Sequence, residues 1–387
     1  MEWKEVRLGD VCEIYGRIGF RGYTTNDLVD TPKEGAISLS PKNIINGELN
    51  LDQCTYIKWD KYYESPEIMI NPNEIIITKT GSSVGRTTFV RRVDHPMTLN
   101  PQLVVLKNIS ENAEFLSYYI KSALFQSVLK SIVVGSAIPT LSQKNLANLI
   151  INVPKEVDDQ HRIASILSSL DRKIELNNKI NADLEEMAQA IFKNWFVDFE
   201  PFKDGKFVDS ELGMIPEGWK VGCLGDLITI KYGKDHKKLE DGTFPVYGSG
   251  GFMRFVNSWL YDGESVLIPR KGTLDNIMYV CEKFWTVDTM FFSVPKMDYV
   301  MKYVYNYIKR FDFSKMNEGT SVPSNTAARL NKMQILIPTH EVLEMYDETL
   351  CPIYNKRKMN DKESRTLSLL RDTLLPRLMS GEIEVPE

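Results

Sequence analysis

The feature that most constrains this chain is an uninterrupted stretch from Gln160 to Phe196, which contains neither proline nor glycine. Its apolar residues recur at alternating steps of four and three, and this spacing predicts one continuous helix with a heptad seam. At 1.5 Å per residue the helix would be about 55 Å long. A helix of that length buries its seam only against another long helix. The seam residues are Ile163, Leu167, Leu170, Ile174, Leu184, Ala188, Ile191 and Trp195.

The C-terminal stretch supplies a candidate partner helix. The polar interruption of the first seam is repeated there, because Asn177 maps onto Asn360 at a shift of 183 residues. A seam Asn costs stability but fixes the register of paired helices. If the helices pack antiparallel around a two-fold-like axis, Asn177 and Asn360 meet at the crossing; alternatively, both face water, because the seam is thin there. The same shift carries the apolar seam onto Tyr346, Leu350, Ile353, Leu367, Leu374 and Leu378.

A direct repeat organises the rest of the chain. Trp219–Ile230 (WKVGCLGDLITI) matches Trp3–Ile14 (WKEVRLGDVCEI) at an offset of 216, and Gly319–Pro338 matches Gly135–Pro154 at an offset of 184. The first module therefore holds 32 more residues, and they must lie between the shared ends. This pattern predicts two modules that share a scaffold but recognise different things. The predicted segments are a first module at 1–154, a helix and the start of a linker at 155–200, the linker and a second module at 201–338, and a second helix at 339–387.

The predicted fold class is α+β. Two mixed α/β modules are separated by an antiparallel coiled coil of two long helices, with pseudo-two-fold symmetry. Within the first module, Asn73–Arg92 reads as a strand, a Gly/Ser turn and a second strand, which is typical of a β-hairpin. Ala113–Ile132 has helical spacing and predicts one helix.

Composition limits the class of protein. A length of 387 residues, with 43% hydrophobic and 26% charged residues, is typical of a globular protein of two or more domains. No apolar stretch is long enough to cross a bilayer, and the N-terminus has no apolar signal core, so we expect no membrane association and a cytoplasmic location. The net charge of −5 argues against general coating of nucleic acid, but it leaves room for a local basic cleft.

Motifs for catalysis are missing from the sequence. None of the four histidines lies in an HxxxH, HExxH or HxE context, and neither a GxxxxGK[ST] phosphate loop nor a GxSxG elbow occurs. The five cysteines are scattered without a CxxC, so no zinc site is predicted. Asn100-Pro101-Gln102 resembles the Asn-Pro-Pro-aromatic motif of amino-group DNA methyltransferases, but it lacks the second proline and the aromatic. We interpret it as a turn that leads into a strand.

Two loops of the first module suit nucleic-acid binding. The turn after the strand Ile75–Thr78 combines cations, hydroxyls and glycines, which can contact phosphates and let the backbone come close; the alternative is a solvated hairpin turn. Asn43, at the end of another strand, could read adenine or merely cap a turn. The candidate residues are Lys42, Asn43, Lys79, Thr80, Ser82, Ser83 and Arg86.

The second module repeats the pattern. Arg270 and Lys271 again stand beside a glycine after a strand, and arginine is the usual reader of guanine edges in the major groove. Tyr247 lies in a glycine-rich turn and is expected to be exposed. The candidate residues of this module are Tyr247, Ser249, Arg270, Lys271 and Thr273.

These motifs, in this order and within the repeat, resemble the specificity (S) subunit of Type I restriction–modification enzymes along essentially the whole chain. The matching segments are LSPKNI (Leu39–Ile44), IIITKTGSSVGR (Ile75–Arg86), DQHRIASILSSLDRKIELNNK (Asp159–Lys179), IFKNWFVDFEP (Ile191–Pro201), MIPEGWK (Met214–Lys220), FPVYGSGG (Phe244–Gly251), IPRKGT (Ile268–Thr273) and LLPRLMSGEI (Leu374–Ile383).

The resemblance implies a non-catalytic DNA-binding subunit in which the two modules are target-recognition domains. Each would read one half of a bipartite, asymmetric site on double-stranded DNA, and the helical repeats would set the gap between the halves. The helices would also dock two methyltransferase (M) subunits. S-adenosylmethionine on those subunits, and ATP and Mg on restriction (R) subunits, would supply the chemistry, with no cofactor in this chain. Pro269 stands where the first module has Thr78, so the two loops need not share geometry.

The alternative is a scaffold protein whose coiled coil and modules bind only other proteins. DNA binding that depends on sequence and on salt would distinguish the two hypotheses. The predicted residues of the spacer seam are Leu167, Leu170, Ile174, Asn177, Leu184, Ile191, Leu350, Ile353, Asn360, Leu367 and Leu374.

Overall fold

The computed structural model describes residues 1–134, 139–313, 315 and 324–385. They form two compact units: unit 1 comprises Met1–Leu176 and Glu363–Glu387, and unit 2 comprises Asn177–Lys362. Each unit therefore contains one module and one half of each long helix, whereas the predicted segments set each helix apart. Gly135 and Gly319, two anchors of the repeat, lie outside the described residues.

The module of unit 1 consists of short strands and short helices. The strands are β1 (Trp3–Arg7), β2 (Glu13–Tyr15), β3 (Leu28–Val29), β4 (Gly35–Leu39), β5 (Ile44–Ile45), β6 (Glu48–Leu49), β7 (Tyr56–Lys58), β8 (Ile75–Thr78), β9 (Thr87–Phe89), β10 (Met97–Leu99), β11 (Leu103–Lys107) and β12 (Ile150–Pro154). The helices are α1 (Leu8–Val11), α2 (Trp59–Tyr63), α3 (Ala113–Lys121), α4 (Ala123–Ser131) and α5 (Gln143–Ala147).

Two four-stranded sheets organise this module, in the orders β2-β11-β8-β9 and β10-β4-β7-β3. The predicted hairpin is confirmed, because β8 pairs antiparallel with β9 from Ile75 opposite Phe89 to Ile77 opposite Thr87. The single helix predicted over 113–132 is wrong, because the chain turns extended at Ser122 and begins a new helix. The Ser122 hydroxyl accepts a hydrogen bond from the Phe125 amide at 3.3 Å, and this cap starts α4.

The module of unit 2 is built on one larger sheet, in the order β16-β21-β19-β20-β17-β18. Its strands are β13 (Phe207–Val208), β14 (Ile215–Pro216), β15 (Lys220–Cys223), β16 (Ile228–Tyr232), β17 (Phe244–Gly248), β18 (Gly251–Val256), β19 (Tyr261–Pro269), β20 (Met278–Thr286), β21 (Met290–Pro295) and β22 (Gln334–Ile337). Its short helices are α7 (Leu224–Leu227), α8 (Met301–Ile308) and α9 (Ala327–Asn331).

The repeat is visible in individual hydrogen bonds. The Leu8 amide donates to the Leu149 carbonyl at 2.8 Å, and the equivalent bond in unit 2, from Leu224 to Met333, is also 2.8 Å. The strands on either side pair antiparallel in both units, β1 with β12 and β15 with β22. Gly9 is required at this joint, because a Cβ there would lie 2.9 Å from the Cβ of Ala147. The repeated segments at the start and end of each module therefore pair with each other, and this pairing closes the module in the same way in both units.

The two long helices are α6 (Val157–Phe196) and α10 (His340–Met379), each of 40 residues. Helix α6 begins three residues before the predicted start and ends at the predicted residue. In the ion pairs between the helices, the residue number falls along α10 as it rises along α6, so the helices are antiparallel. The pairs are Asp171 with Arg371 (2.8 Å) and Lys173 with Glu363 (3.2 Å) in unit 1, and Glu185 with Arg357 (2.5 Å) in unit 2.

The two seam asparagines meet in unit 2, which excludes the alternative that they face water. Asn177 and Asn360 are 0% and 1% exposed, and the Asn177 Nδ2 lies 3.5 Å from the Asn360 carbonyl oxygen. The Asn360 Nδ2 donates to the Oδ1 of Asn181 at 2.8 Å. Of the other spacer residues, Leu167, Leu350 and Ile353 are buried, whereas Leu170, Ile174, Leu184, Ile191, Leu367 and Leu374 are half-buried.

We expect charge in the seam to unfold the helix pair. Leu167→Asp in unit 1 and Ile353→Asp in unit 2 each place a carboxylate where the wild-type side chain is 0% and 8% exposed. Each should lower the free energy of unfolding by about 3 kcal/mol or more. Chemical denaturation followed by circular dichroism measures the effect. The matched controls Leu176→Asp and Met359→Asp, on exposed positions of the same helices, should change it by less than about 1 kcal/mol. Equal effects at buried and exposed positions would contradict the seam assignment.

Candidate nucleic-acid interface

The two modules hold a cation at the same point of their scaffolds, immediately after a buried strand. In unit 1, the Lys79 amide donates to the Gln102 carbonyl at 2.8 Å, and the Lys79 carbonyl accepts from the Leu141 amide at 2.8 Å. In unit 2, Arg270 makes the same two bonds, with the Thr289 carbonyl at 2.8 Å and the Asn325 amide at 3.0 Å. Lys79 and Arg270 are therefore structural equivalents, and each is fixed by the backbone rather than carried on a loose loop.

The side chain of Lys79 lies in a cleft of about 620 Å³. Burial lowers the pKa of the Lys79 ammonium from its ordinary value. No carboxylate is found among the described residues that line the cleft, so the side chains there offer amide and hydroxyl groups beside the two cations Lys79 and Arg17. The lining residues are Gly16, Arg17, Ile18, Lys79, Thr80, Pro101, Gln102, Thr140, Leu141, Ser142 and Gln143. Such a surface suits an anionic or hydrogen-bonding ligand.

Arg17 in this cleft has a structural role that the sequence did not reveal. It is 4% exposed, its Nε donates to the Leu99 carbonyl at 2.8 Å, and its Nη2 donates to the Thr98 hydroxyl at 3.2 Å. Burial lowers the pKa of its guanidinium. Its donors are used within the protein, which leaves Lys79 as the cation of the cleft that can engage a ligand.

Arg270 is presented differently. Its guanidinium carbon lies 5.6 Å from the centre of the Tyr232 ring, and its Nη1 donates to the Asp288 carbonyl at 3.3 Å. Tyr232 is the last residue of β16 and is 54% exposed. Tyr232 is not among the residues predicted from the sequence. The signal for it is its place in the repeat, at an offset of 216 from Gly16, which follows the matching strand of unit 1.

The glycine-rich turn between β8 and β9 is closed by its own backbone. The Gly85 amide donates to the Thr78 carbonyl at 2.9 Å, and the Arg86 amide donates to the Ser83 carbonyl at 3.0 Å. Ser82 and Arg86 are exposed, Thr80 and Ser83 are half-buried, and Thr80 also forms a β-bridge with Thr140 at the cleft. The turn is therefore a formed hairpin, and its outer side chains are accessible to a partner.

Asn43 caps a turn, which is the second of the two alternatives that the sequence left open. It is 4% exposed, its Oδ1 accepts from the Ser40 amide at 2.9 Å, and its Nδ2 donates to the Asn50 carbonyl at 3.1 Å. Its amide is therefore committed to the backbone. The neighbouring Lys42 is exposed.

Tyr247 is not exposed, which corrects the prediction for the second module. It is 4% exposed, and its hydroxyl donates to the Glu282 carboxylate at 2.6 Å, so it stabilises the sheet and does not face a ligand. Ser249 does lie at the candidate interface, because its hydroxyl is 2.5 Å from the place where Gly272 would carry a Cβ. Lys271 and Thr273, on either side of Gly272, are exposed.

Asn100-Pro101-Gln102 forms the predicted turn. The Asn100 Oδ1 accepts from the Gln102 amide at 2.9 Å, and the Leu103 amide, at the start of β11, donates to the Asn100 carbonyl at 3.2 Å. Gln102 then reaches the cleft beside Lys79. Within the described ranges, no group of His, Cys, Asp or Glu side chains is placed to hold a metal ion.

Comparison with known proteins assigns the family. The model of the Type I restriction modification DNA specificity domain matches residues 1–186 and 216–348. The chain belongs to this family. It is 26% identical to the Type I restriction enzyme MjaIX specificity subunit of Methanocaldococcus jannaschii, over 100% of this chain and 94% of the relative. It is 22% identical to the HindI specificity subunit of Haemophilus influenzae, over 99% of this chain and 100% of the relative.

A solved structure supports the fold. The crystal structure of the Type I restriction–modification S subunit from M. genitalium matches with a TM-score of 0.56 at 18% sequence identity, covering 97% of this chain and 96% of that chain. As a member of this family, the chain is a non-catalytic specificity subunit that recognises DNA sequence. Over the residues described, its helices include none with the length and apolar character of a membrane span.

The two roles considered for Asn43 predict different mutational effects. Asn43→Ala removes three part-buried hydrogen bonds to the backbone and should lower the free energy of unfolding by about 1–3 kcal/mol. The adjacent exposed variant Lys42→Ala should change it by less than about 0.5 kcal/mol. Urea denaturation of both variants measures the difference. Wild-type stability in Asn43→Ala would argue against the capping role.

Proposed function

We propose that each of the two modules reads one half of a bipartite, asymmetric site on double-stranded DNA. The observation that carries this proposal is the equivalence of Lys79 and Arg270. The same two backbone hydrogen bonds hold a cation at the same strand end in both modules, yet the surrounding side chains differ. A common scaffold with unlike readers is what recognition of two different half-sites requires.

The chemistry of the two interfaces supports base contact flanked by phosphate contact. Lys79 can donate to base acceptors from a cleft that also holds the amide of Gln102, and Arg270 carries the donor fork that matches guanine. The exposed cations Lys42, Arg86 and Lys271 suit phosphates, which position the duplex without reading sequence.

We infer that the antiparallel helices set the unspecified gap between the half-sites and dock the catalytic subunits. Two methyltransferase subunits would bring S-adenosylmethionine, and restriction subunits would bring ATP and Mg, within the cytoplasm. Large apolar side chains exposed on the long helices support a docking role, because such surfaces commonly mark protein interfaces. They include Leu176 (49%), Met187 (54%), Met345 (48%), Met359 (66%), Leu369 (69%) and Leu370 (45%).

Removing either cation should weaken specific DNA binding. The target sequence is first found by comparing the methylomes of the host with and without the gene for this chain. The complex of the chain with its methyltransferase subunits is then titrated with duplex DNA of that sequence, and binding is measured by fluorescence anisotropy. Lys79→Ala and Arg270→Ala should each lower affinity for this target about five- to a hundredfold. Lys155→Ala and Lys220→Ala, exposed lysines outside the candidate loops of unit 1 and unit 2, serve as controls and should leave affinity nearly unchanged.

The two outcomes of this titration separate recognition from scaffolding. Each alanine variant should lose sequence discrimination at only one half-site. Titration with duplexes in which one half-site is scrambled measures this. Wild-type binding that ignored both DNA sequence and salt concentration would favour the scaffold alternative and reject the proposal.

Lengthening both helices should lengthen the gap. We would insert seven residues after Leu176 and seven after Lys362, at the boundary between the units. These insertions preserve the Asn177–Asn360 contact of unit 2 and the Asp171–Arg371 ion pair of unit 1. One heptad adds about 10 Å of helix, which corresponds to about 3 base pairs of duplex. Selection from a duplex library with variable gaps should therefore recover a gap longer by about 3 base pairs. Insertion into α6 alone is the control that breaks the register. Recovery of the original gap by the doubly extended protein would contradict the inference.

A further inference from the structure

We propose that Tyr232 is a positioning residue, which holds the guanidinium of Arg270 to read a guanine in the half-site of unit 2. This inference rests on the proposed function and deepens it, because it names a base and the side chain that makes its recognition selective.

The backbone of Arg270 is fixed on both sides. Its amide and carbonyl are bonded to Thr289 and Asn325, as described above. Asn325 is 2% exposed, and its Nδ2 donates to the Pro269 carbonyl at 2.9 Å. The residue before Arg270 is therefore held as well, so the base of the arginine side chain has little freedom.

The guanidinium lies over an aromatic ring that the core supports. Tyr232 lies opposite Phe291 in the sheet, and the two rings meet edge-to-face with centroids 5.0 Å apart. Phe291 is 1% exposed, so a core residue supports the tyrosine. With its Nη1 on the Asp288 carbonyl, Arg270 retains Nε and Nη2, for which the described residues provide no acceptor. Arg270 also forms no ion pair among the described side chains.

Nε and Nη2 are adjacent, parallel donors in one plane. This fork matches the O6 and N7 acceptors of guanine in the major groove, a pattern that the other bases do not present. Because the ring restricts the guanidinium before DNA binds, the side chain loses less conformational entropy on binding. This smaller entropic cost increases affinity for a ligand whose acceptors match the fork. Tyr232 would therefore increase discrimination at a single guanine rather than attract DNA in general.

Unit 1 lacks this arrangement at the equivalent position. Gly16 follows β2, which pairs with β11 as β16 pairs with β21. A Cβ on Gly16 would lie 3.3 Å from the Lys79 ammonium nitrogen, so a larger side chain would crowd that space. Unit 1 thus offers a point charge in a cleft, whereas unit 2 offers a planar donor fork over an aromatic ring.

The test measures guanine recognition directly. The complex with its methyltransferase subunits is titrated with target duplexes in which each guanine of the second half-site is replaced in turn by 7-deazaguanine, which lacks the N7 acceptor. The wild-type protein should lose affinity about tenfold at one guanine. Tyr232→Phe, which keeps the ring, should show the same loss. Tyr232→Leu, Tyr232→Thr and Arg270→Lys should each reduce that loss to about twofold or less, and Lys271→Ala should leave it intact while weakening all duplexes equally.

The outcomes are distinguishable. A tenfold loss retained by both Tyr232→Leu and Tyr232→Thr would overturn the positioning role, as would specific binding in which no guanine of the half-site responds to 7-deaza substitution. Absence of sequence-specific binding by the wild-type complex would instead reject the proposed function. Thermal melting of each variant shows that unit 2 is folded, and the two ring-free variants give independent readings if one of them is destabilised.

Discussion

The antiparallel pairing of α6 with α10 is the constraint on which the rest of the structure depends. Neither helix could remain ordered alone, because a seam of apolar residues along 40 residues must be covered. The modules bury against the same helices. In unit 1, Ile163, Leu167 and Leu378 lie in one core with Phe115 of α3. In unit 2, Phe192 and Tyr346 lie in one core with Tyr303 of α8. The helix pair is therefore part of both hydrophobic cores.

Charged side chains specify which helices pair. In unit 1 the Tyr118 hydroxyl donates to Asp171, which also accepts from Arg371 at 2.8 Å. In unit 2 a tyrosine of α8, Tyr305, donates to Glu185, which pairs with Arg357. Burial raises the pKa of both tyrosine hydroxyls, so they remain protonated donors.

Both clusters place the carboxylate on α6 and the arginine on α10. Strict two-fold symmetry would exchange the two helices, so one cluster would have its carboxylate on α10 and its arginine on α6. The observed clusters therefore depart from the symmetry of the seam. Two copies of α6 crossing at Asn177 would bring Asp171 near Glu185, and like charges that are partly buried oppose such a pairing. The charge pattern thus favours α6 with α10 over α6 with a copy of itself, while the asparagines fix the register.

The recognition loops show how a duplicated scaffold supports different readers. Backbone hydrogen bonds at both ends of the loop segment are the same in the two modules, because the amides and carbonyls that make them do not depend on side-chain identity. The side chains between these fixed points are free to differ. The exchange of Gly16 for Tyr232 and of Lys79 for Arg270 therefore changes the chemistry of the surface without altering the frame that presents it.

The sequence by itself determined the long helices, the partner helix, the repeat of the modules and the β8–β9 hairpin, whereas only the structure decided between the two alternatives for Asn177 and Asn360. These features are periodic, repeated or local, so a one-dimensional pattern carries them. Tertiary structure alone decided that Tyr247 is buried on Glu282, that Asn43 caps a turn, that Ser122 divides a helix and that Tyr232 supports Arg270. Asn43 and Ser122 bond to partners close in sequence, where the local pattern allows more than one arrangement. Tyr247 and Arg270 instead depend on partners far along the chain, 35 and 38 residues away. No local pattern records what those partners will be.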